Sequence, residues 1–455
     1  MMELTNKKVL VIGSGISGIG AVELLENKGA CPYLYDGGEK ATVEAVRAKL
    51  PAESKAEVIV GQLPDEISNQ MELVVPSPGV PTDTPFIQNF RDRQIPVWGE
   101  LELAYQCGKG RVIAITGTNG KTTTTSLVGE IMQNFYQSVF VVGNIGTAYT
   151  TESLKMNEES VTVAEVSSFQ LETVDQFHPI VSAILNVTPD HLNRHHTMEN
   201  YAAVKQAITK NQTKNDTCIL NYDNEYTRAF GEICPAKVVY FSSSQALTDG
   251  LYLGGDQIML AENGLSKALL NVKTDMTLVG MCNYENVMAA IGIAMNAGVP
   301  MDCILKTIKE FKAVEHRIEY VATKKGVMYY NDSKGTNVDA AIQGIRAMDR
   351  PTVLLGGGYD KGSEYDEWIE NFQGKVKYLV LIGATRDKIA ECARKHGFDR
   401  IIMADTFEEA MEICISKAES GDAVLLSPAC ASWGMFPNYE VRGKMFKDIV
   451  KRIEE

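Results

Sequence analysis

The run Thr116-Gly-Thr-Asn-Gly-Lys-Thr122 joins an apolar stretch, Val112 to Ile115, to a helix-like stretch through Leu127, Val128 and Ile131. Small residues at such a junction let backbone N–H groups face phosphate oxygens, and a helix N-terminus adds partial positive charge. Lys121 would neutralise terminal phosphates, and Thr122 would offer its hydroxyl to Mg²⁺. Gly117, Thr118, Asn119 and Gly120, with Thr123 and Thr124 behind them, therefore read as a phosphate cradle. Ile115 stands where the Walker pattern has its first glycine. A tight turn beside a chance lysine would read the same way.

Other groups suit the same chemistry. Glu165 lies near the end of the apolar run Val161 to Val166. A carboxylate there costs free energy unless it is paired or metal-bound, and an acid on a second strand facing a Lys-Thr loop is a natural Mg²⁺ ligand. A structural ion pair is the alternative. His191 follows the run Val181 to Val187, and four of the six histidines fall between His178 and His196. A surface or structural histidine would look alike. Lys205 sits on a predicted helix from Met198 to about Thr209, N-capped by Thr197. By spacing it reads as solvated. Asn283 and Asn286 open an Ala-rich helix, where they could meet an adenine edge or act as caps.

These groups need strands and helices to hold them. Lys8 to Ile12 reads as a strand entering Gly13-Ser-Gly-Ile-Ser-Gly18. A helix follows through Ala21, Val22, Leu24 and Leu25 and stops at Gly29. A second strand, Cys31 to Tyr35, closes on Asp36. This is a G-x-G-x-x-G fingerprint with an acid at the usual distance. Read alone it indicates NAD, but the fold serves many nucleotides, a UDP-sugar among them. Leu73 to Val75 is another strand, ending in the rigid loop Pro76 to Pro81. Trp98-Gly-Glu100 looks like the exit from this first domain. Beyond the phosphate loop, Val139 to Val142 and Cys218 to Leu220 read as strands, and Lys237 to Met276 as β-hairpins.

From Val327 onward strands and helices alternate, giving a second parallel α/β sheet. Polar clusters follow three of its strands: Asn331 to Asn337, Gly356 to Gly362 and Ser427 to Trp433. Three such loops on one sheet imply a shared binding or catalytic rim. Cys430 lies in the third loop, where a small buried thiol is the default.

At 455 residues the chain needs more than one core. Its formal charge of −14 argues against a general nucleic-acid partner. No signal peptide is legible, and no run approaches the roughly 18 apolar residues of a membrane span. Nine cysteines without a C-x-x-C pair indicate neither a zinc site nor a disulfide framework and suit a reducing cytoplasm.

Together these strings resemble the Mur ligase family along essentially the whole chain. The resemblance rests on Thr116 to Thr122, Glu165, Asp190-His191, Asn283 with Asn286, His316-Arg317 and Asn331 to Asn337. Further matches are Gly143-Asn-Ile-Gly146, Ser167 to Glu172 and Leu426 to Trp433, with Phe436, Asn438, Tyr439 and Arg442-Gly443. It implies an α/β chain of three domains. These are a UDP-binding Rossmann-like domain (1–99), a central P-loop ATPase-like domain (100–313) and a C-terminal Rossmann-like domain (314–455) that binds the amino acid. It implies ATP-driven amide formation through an acyl phosphate, with UDP-N-acetylmuramoyl-L-alanine and D-glutamate as co-substrates, in cytoplasmic peptidoglycan precursor synthesis. A monomer is expected.

Roles carry over by matching position. Thr122 and Glu165 would hold one Mg²⁺, and Glu165, His191 and a carbamylated Lys205 a second. Lys121, Glu165, His191 and Lys205 would carry the chemistry. Asn283, Asn286, Arg317 and Asp332 would contact ATP. Ser14, Ile16, Asp36 and Gly79 would surround the UDP, while Asn144, Ser167 and His191 meet the muramoyl part. Lys334, Thr336, Lys361, Ser432 and Tyr439 would grip D-glutamate. Three positions depart from the family pattern: Cys282 stands for His, Gly335 for Ala and Tyr439 for Phe. Outside this class, the residues leave open an NAD-dependent oxidoreductase and a non-catalytic nucleotide-binding regulator.

Overall fold

The computed structural model describes residues 3–454. The chain forms two compact units. One comprises the chain up to Gly254 with Met259–Leu269 and Asn286–Ile308. The other comprises Gly255–Ile258, Leu270–Glu285 and the chain from Lys309 onward.

The first unit holds an N-terminal parallel sheet in the order Glu57–Val60, Cys31–Asp36, Lys8–Ile12, Leu73–Pro76. Strand order reverses at Lys8–Ile12, so a crevice opens at its C-terminal end. The glycine loop lies there. A Cβ on Gly18 would fall 1.9 Å from the Gly13 carbonyl oxygen, so helix Ile16–Asn27 can start this close only without a side chain. Strand Glu57–Val60 was not anticipated; its four residues are too few to show a period.

A second sheet in this unit is built around Arg111–Thr116, flanked by Val161–Glu165 and Val181–Ile184. Val139–Gly143 lies outside the former, and Thr217–Asn221 and Lys237–Ser242 outside the latter, all parallel. Val161–Glu165, Val181–Ile184 and Thr217–Asn221 are buried at every position, as a sheet covered on both faces requires. Gly250–Gly254 pairs parallel with Lys237–Ser242 rather than in the expected hairpin, and Gln257–Glu262 and Leu265–Asn271 follow as consecutive neighbours, completing nine strands. Asn263 and Gly264, both at positive φ, make the Asn-Gly turn expected between hairpin strands.

Helix Glu100–Cys107 faces both cores of this unit. Leu103 and Cys107 pack with Trp98 in the N-terminal core, whereas Leu101 and Ala104 pack in the central one. Two boundaries differ from expectation. The strand expected to run to Val187 ends at Ile184, because Asn186 turns to bond the phosphate loop. The helix expected to reach Thr209 ends at Gln206 and tightens into a 3₁₀ turn, Ala207–Thr209.

The second unit carries a six-stranded sheet: Glu319–Lys324, Val327–Asn331, Ala423–Leu426, Thr352–Gly357, Val376–Ile382, Ile401–Met403. The expectation of a purely parallel sheet needs correcting. Glu319–Lys324 is an antiparallel edge strand, because Lys325 and Gly326, both at positive φ, fold it straight back onto Val327–Asn331. The other pairings are parallel. Val327–Asn331, Ala423–Leu426 and Thr352–Gly357 are adjacent, so the three polar loops that follow them do share a rim.

Candidate active site

The phosphate loop is held by its neighbours. Thr118 N–H donates to the Asn186 carbonyl at 3.0 Å, and Asn119 N–H to the Asn186 side-chain oxygen at 2.8 Å. Asn186 returns its Nδ2 to the Asn119 carbonyl at 3.1 Å. Gly120 adopts φ +85°, and a Cβ there would lie 2.2 Å from Asn286 Oδ1. Thr124 donates to that same oxygen at 3.3 Å. Asn286 thus buttresses the loop and the start of helix Lys121–Gln133. Asn283, also buried, donates to the Val279 carbonyl at 2.8 Å. Thr123 and Thr124 are buried behind the loop, while Thr122 keeps partial exposure. Asn186 carried no role in the sequence reading; its only signal was an amide at the end of an apolar run.

Two lysines converge on one carbonyl. Lys121 Nζ donates to the oxygens of Gly117 and Thr118 at 2.8 and 2.9 Å. Lys205 Nζ donates to the same Gly117 oxygen at 2.8 Å and lies 4.6 Å over the Tyr201 ring. Spacing made Lys205 a solvated residue, but it is 1% exposed. Burial, and then the Lys121 charge, hold its ammonium well below the usual lysine range. The neutral amine, the nucleophilic form of lysine, is thereby favoured.

Glu165 is buried at the end of its strand, beside Ile115. Its Oε1 accepts from Asn144 Nδ2 at 2.8 Å, and its Oε2, fully enclosed, has no hydrogen-bond partner. A buried carboxylate oxygen in this state is costly without a cation. The donor set of Glu165 oxygen, Thr122 hydroxyl and His191 imidazole therefore fits a divalent ion. His191 is exposed, sits at the left-handed φ of +52° and places Nε2 3.5 Å from Asp190. Ser167 N-caps the short helix Ser168–Leu171 in a reciprocal capping box with Gln170.

At the N-terminal crevice, Asp36 receives the Ser14 hydroxyl and the N–H groups of Ser14 and Gly38, the latter two at 3.1 and 3.0 Å. The Ser14 hydroxyl above all holds this carboxyl below its ordinary range. Lys49 Nζ reaches the Ser14 carbonyl and hydroxyl at 3.1 and 3.0 Å. Ile16, at the start of the helix, is 82% exposed, an apolar surface beside a polar loop. Gly79 follows the strand end Leu73–Pro76.

A tether between this crevice and the phosphate-loop sheet escaped sequence reasoning. Arg194 forks onto both Glu172 oxygens at 3.1 and 2.6 Å and donates to the Val80 carbonyl at 2.9 Å. Thr82 donates to Glu172 at 2.7 Å. Beside them His195 is buried, which lowers its pKa, with Nε2 2.9 Å from the Ser168 hydroxyl. The available signal was one acid and one arginine, each in a polar string after a strand.

In the second unit, Asp332 is buried at the head of the rim. Its oxygens accept from Ser427 Oγ at 2.7 Å and Ile318 N–H at 3.3 Å. Burial raises its pKa to about 6 against the pull of the Arg317 charge. Arg442 is equally enclosed, donating to Ser333 Oγ and carbonyl at 3.0 and 2.8 Å; burial lowers its pKa to about 10. Quoted in the sequence without a role, it braces the rim by tying Ser333 to the Cys430 carbonyl. Lys334 lies 5.8 Å over the Tyr439 ring, and Lys361 4.9 Å over Trp433. Thr336 is part-exposed and Ser432 buried in its loop. Tyr439 opens helix Tyr439–Arg452, N-capped by Asn438. Cys430 is buried, its thiol pushed up by burial and touched by Tyr365 and Thr385, as a packed rather than a nucleophilic cysteine. Cys282 is part-buried against the core of this unit, and desolvation raises its pKa to about 12.

Comparison with known proteins adds a consistent pattern. The Mur ligase MurD-like N-terminal domain matches residues 7–99, the Mur ligase middle domain 115–294, and the Mur ligase glutamate ligase domain 316–430. The UDP-N-acetylmuramoylalanine–D-glutamate ligase of Lachnospira eligens is 57% identical over 99% of this chain and 100% of its own. That of Clostridioides difficile is 44% identical over 100% of both chains. Among solved structures, UDP-N-acetylmuramate-alanine ligase from Thermotoga maritima superposes with a TM-score of 0.60 at 17% identity, covering 98% of this chain and all of its own. MurF ligase from Thermotoga maritima in complex with ADP gives 0.60 at 16%, covering 99% and 100%. At such identities the superpositions speak for the three-domain fold.

Proposed function

The chain belongs to the Mur ligase family, and from that premise we propose how its residues divide the work of an ATP-dependent ligase. The reaction joins D-glutamate to UDP-N-acetylmuramoyl-L-alanine in peptidoglycan precursor synthesis. The free alanyl carboxylate is a poor acyl donor. Its oxygen attacks the γ-phosphorus of ATP, releasing ADP and leaving an acyl phosphate. The amine of D-glutamate then adds to the carbonyl, sheds a proton, and phosphate departs.

Gly117 to Thr124 hold the ATP phosphates, with Lys121 leaving its carbonyl contacts to meet the γ-phosphate. Preorganised charge of this kind is usually the largest single contribution to such a transfer. Asn283, Asn286, Arg317 and Asp332 serve the nucleotide. Thr122, Glu165, His191 and a carbamylated Lys205 are the groups that would hold two Mg²⁺ ions. When bound, the ions supply positive charge to the transferring phosphoryl group. The observation carrying this assignment is the partnerless buried Oε2 of Glu165. Carbamylation is supported by the enclosure of Lys205 beside Lys121: a neutral amine can add CO₂, and the resulting anion no longer repels its neighbour.

Ser14, Ile16, Asp36 and Gly79 take the UDP, and Asn144, Ser167 and His191 the muramoyl part. In this reading Asp36 accepts from nucleoside hydroxyls, and no NAD is involved. Lys334, Thr336, Lys361 and Ser432 meet the two carboxylates of D-glutamate, and Tyr439 covers its aliphatic chain. In this reading the domains divide along the chain at 1–99, 100–313 and 314–455, while Leu270–Glu285 packs with the second compact unit. A single chain carries every group assigned, so a monomer suffices, and the ATP requirement puts the reaction in the cytoplasm.

The test is phosphate release with ATP, Mg²⁺, UDP-N-acetylmuramoyl-L-alanine and single amino acids. D-Glutamate should support turnover best, strictly with both co-substrates present. Better turnover with L-lysine, meso-diaminopimelate or L-alanine would overturn the D-glutamate rim.

A further inference from the structure

We propose that helices Asp366–Glu370 and Arg386–Lys395 carry a binding site for a thiophilic divalent metal, made by Asp366, Cys392 and His396. Cys392 and His396 are four residues apart, so they share one face at the end of the second helix. Asp366 and Glu370 repeat that spacing on the first. One oxygen, the sulfur and one ring nitrogen of Asp366, Cys392 and His396 all lie within 4.8 Å of one another. His396 Nε2 is 2.9 Å from Asp366 Oδ1. A tetrahedral shell with bonds of about 2.0–2.3 Å needs ligand–ligand edges of roughly 3.4–3.7 Å. The Nε2–Oδ1 contact is shorter than such an edge and no separation exceeds 4.8 Å, so the three atoms stand near the spacing an ion would require.

A fourth side chain, the second carboxylate, favours the same reading. Glu370 Oε1 faces the other ring nitrogen, Nδ1, at 3.7 Å. Without metal, Nε2–H donates to Asp366 Oδ1; an ion bound at Nε2 would leave the ring proton on Nδ1, the side of Glu370. Carboxylate, imidazole and metal are commonly arranged this way. Asp366 and His396 are exposed and Cys392 part-exposed, so an ion can enter and retain water in its remaining position.

Sulfur, imidazole and carboxylate select Zn²⁺ or Co²⁺ over Mg²⁺, which separates this site from the hydroxyl and carboxylate donors near the phosphate loop. Binding displaces the Cys392 thiol proton to solvent and requires neutral His396, so apparent affinity should rise with pH.

The experiment titrates Co²⁺ into the full, chelator-treated chain with Mg²⁺ in excess and follows the thiolate-to-cobalt charge-transfer band in the near ultraviolet. One equivalent should develop the band, and Zn²⁺ should abolish it by competition. Cys392→Ser should lose it while keeping ligase turnover, and His396→Ala or Asp366→Asn should weaken Co²⁺ binding at least about tenfold. A wild-type chain without the band overturns the proposal. So does a band unchanged in Cys392→Ser, because the thiolate would then be another cysteine.

Discussion

Two glycine loops in the first unit start alike and are finished differently. Each follows a strand at which sheet order reverses, Lys8–Ile12 in one sheet and Arg111–Thr116 in the other. Each opens a helix and so offers N–H groups and partial positive charge. At the first loop the nearest group is a carboxylate, Asp36, which already takes the Ser14 N–H and hydroxyl. At the second, an amide, Asn186, holds the loop, and two lysines crowd the Gly117 carbonyl. A negative charge inside the first loop suits neutral hydroxyl donors. The Lys121 cation at the second suits phosphate, and burial, reinforced by that charge, shifts Lys205 toward its neutral form. The same backbone motif is thus directed to different ligands by residues outside it.

The sharpest break of this comparison comes from the second loop. Lys121→Ala, Glu165→Ala and Lys205→Ala should each lower kcat by about 10²–10³-fold, the usual result of losing a preorganised electrostatic group. Small carboxylic acids should restore part of the Lys205→Ala activity and none of the Lys121→Ala activity, measured by phosphate release. Normal turnover in Lys205→Ala would remove the carbamate assignment.

At the first loop Asp36→Asn should leave kcat nearly intact and raise KM for the UDP substrate. A charge-assisted hydrogen bond of roughly 1.5–3 kcal/mol corresponds to about ten- to a hundredfold. If kcat fell as it does at the second loop, the two loops would not be functionally distinct. Lys361→Ala or Ser432→Ala should raise KM for D-glutamate about tenfold with KM for ATP little changed; equal effects on both would argue against a dedicated amino-acid rim.

The smallest effect is on stability and contrasts two carboxylates. Donors hold Asp36 below its ordinary range, so its contribution is present at neutral pH and is lost as pH falls through that lowered pKa. Burial raises Asp332 to about 6. Its neutral form is favoured by folding, so its contribution is present below the usual carboxylate pKa and lost as pH climbs through about 6. Asp332→Asn should therefore gain about 1–3 kcal/mol over the parent at pH 7.5, with the gap closing near pH 4. Thermal unfolding at the two pH values checks the sign.

Local order and motif identity were legible in the amino-acid sequence. The strands entering both glycine loops, the Thr197 N-cap and the three loops of the C-terminal rim stand where the residue pattern places them, because chain direction, turn chemistry and apolar periodicity act over a few residues. Tertiary structure alone decided which polar groups are deprived of water. Lys205 has the spacing of a surface lysine and becomes buried because its helix packs against the phosphate loop, 88 residues earlier in the chain. The enclosed Oε2 of Glu165, the Arg194–Glu172 fork onto Val80 and the Arg442 brace on Ser333 and Cys430 likewise join segments far apart in sequence. The antiparallel edge Glu319–Lys324 was hidden for the complementary reason. An edge strand is wetted on one side, and charged residues at both ends leave only the short run Tyr320 to Ala322 as a signal. Burial and charge proximity depend on distances between segments, and those exist only once the sheets have assembled.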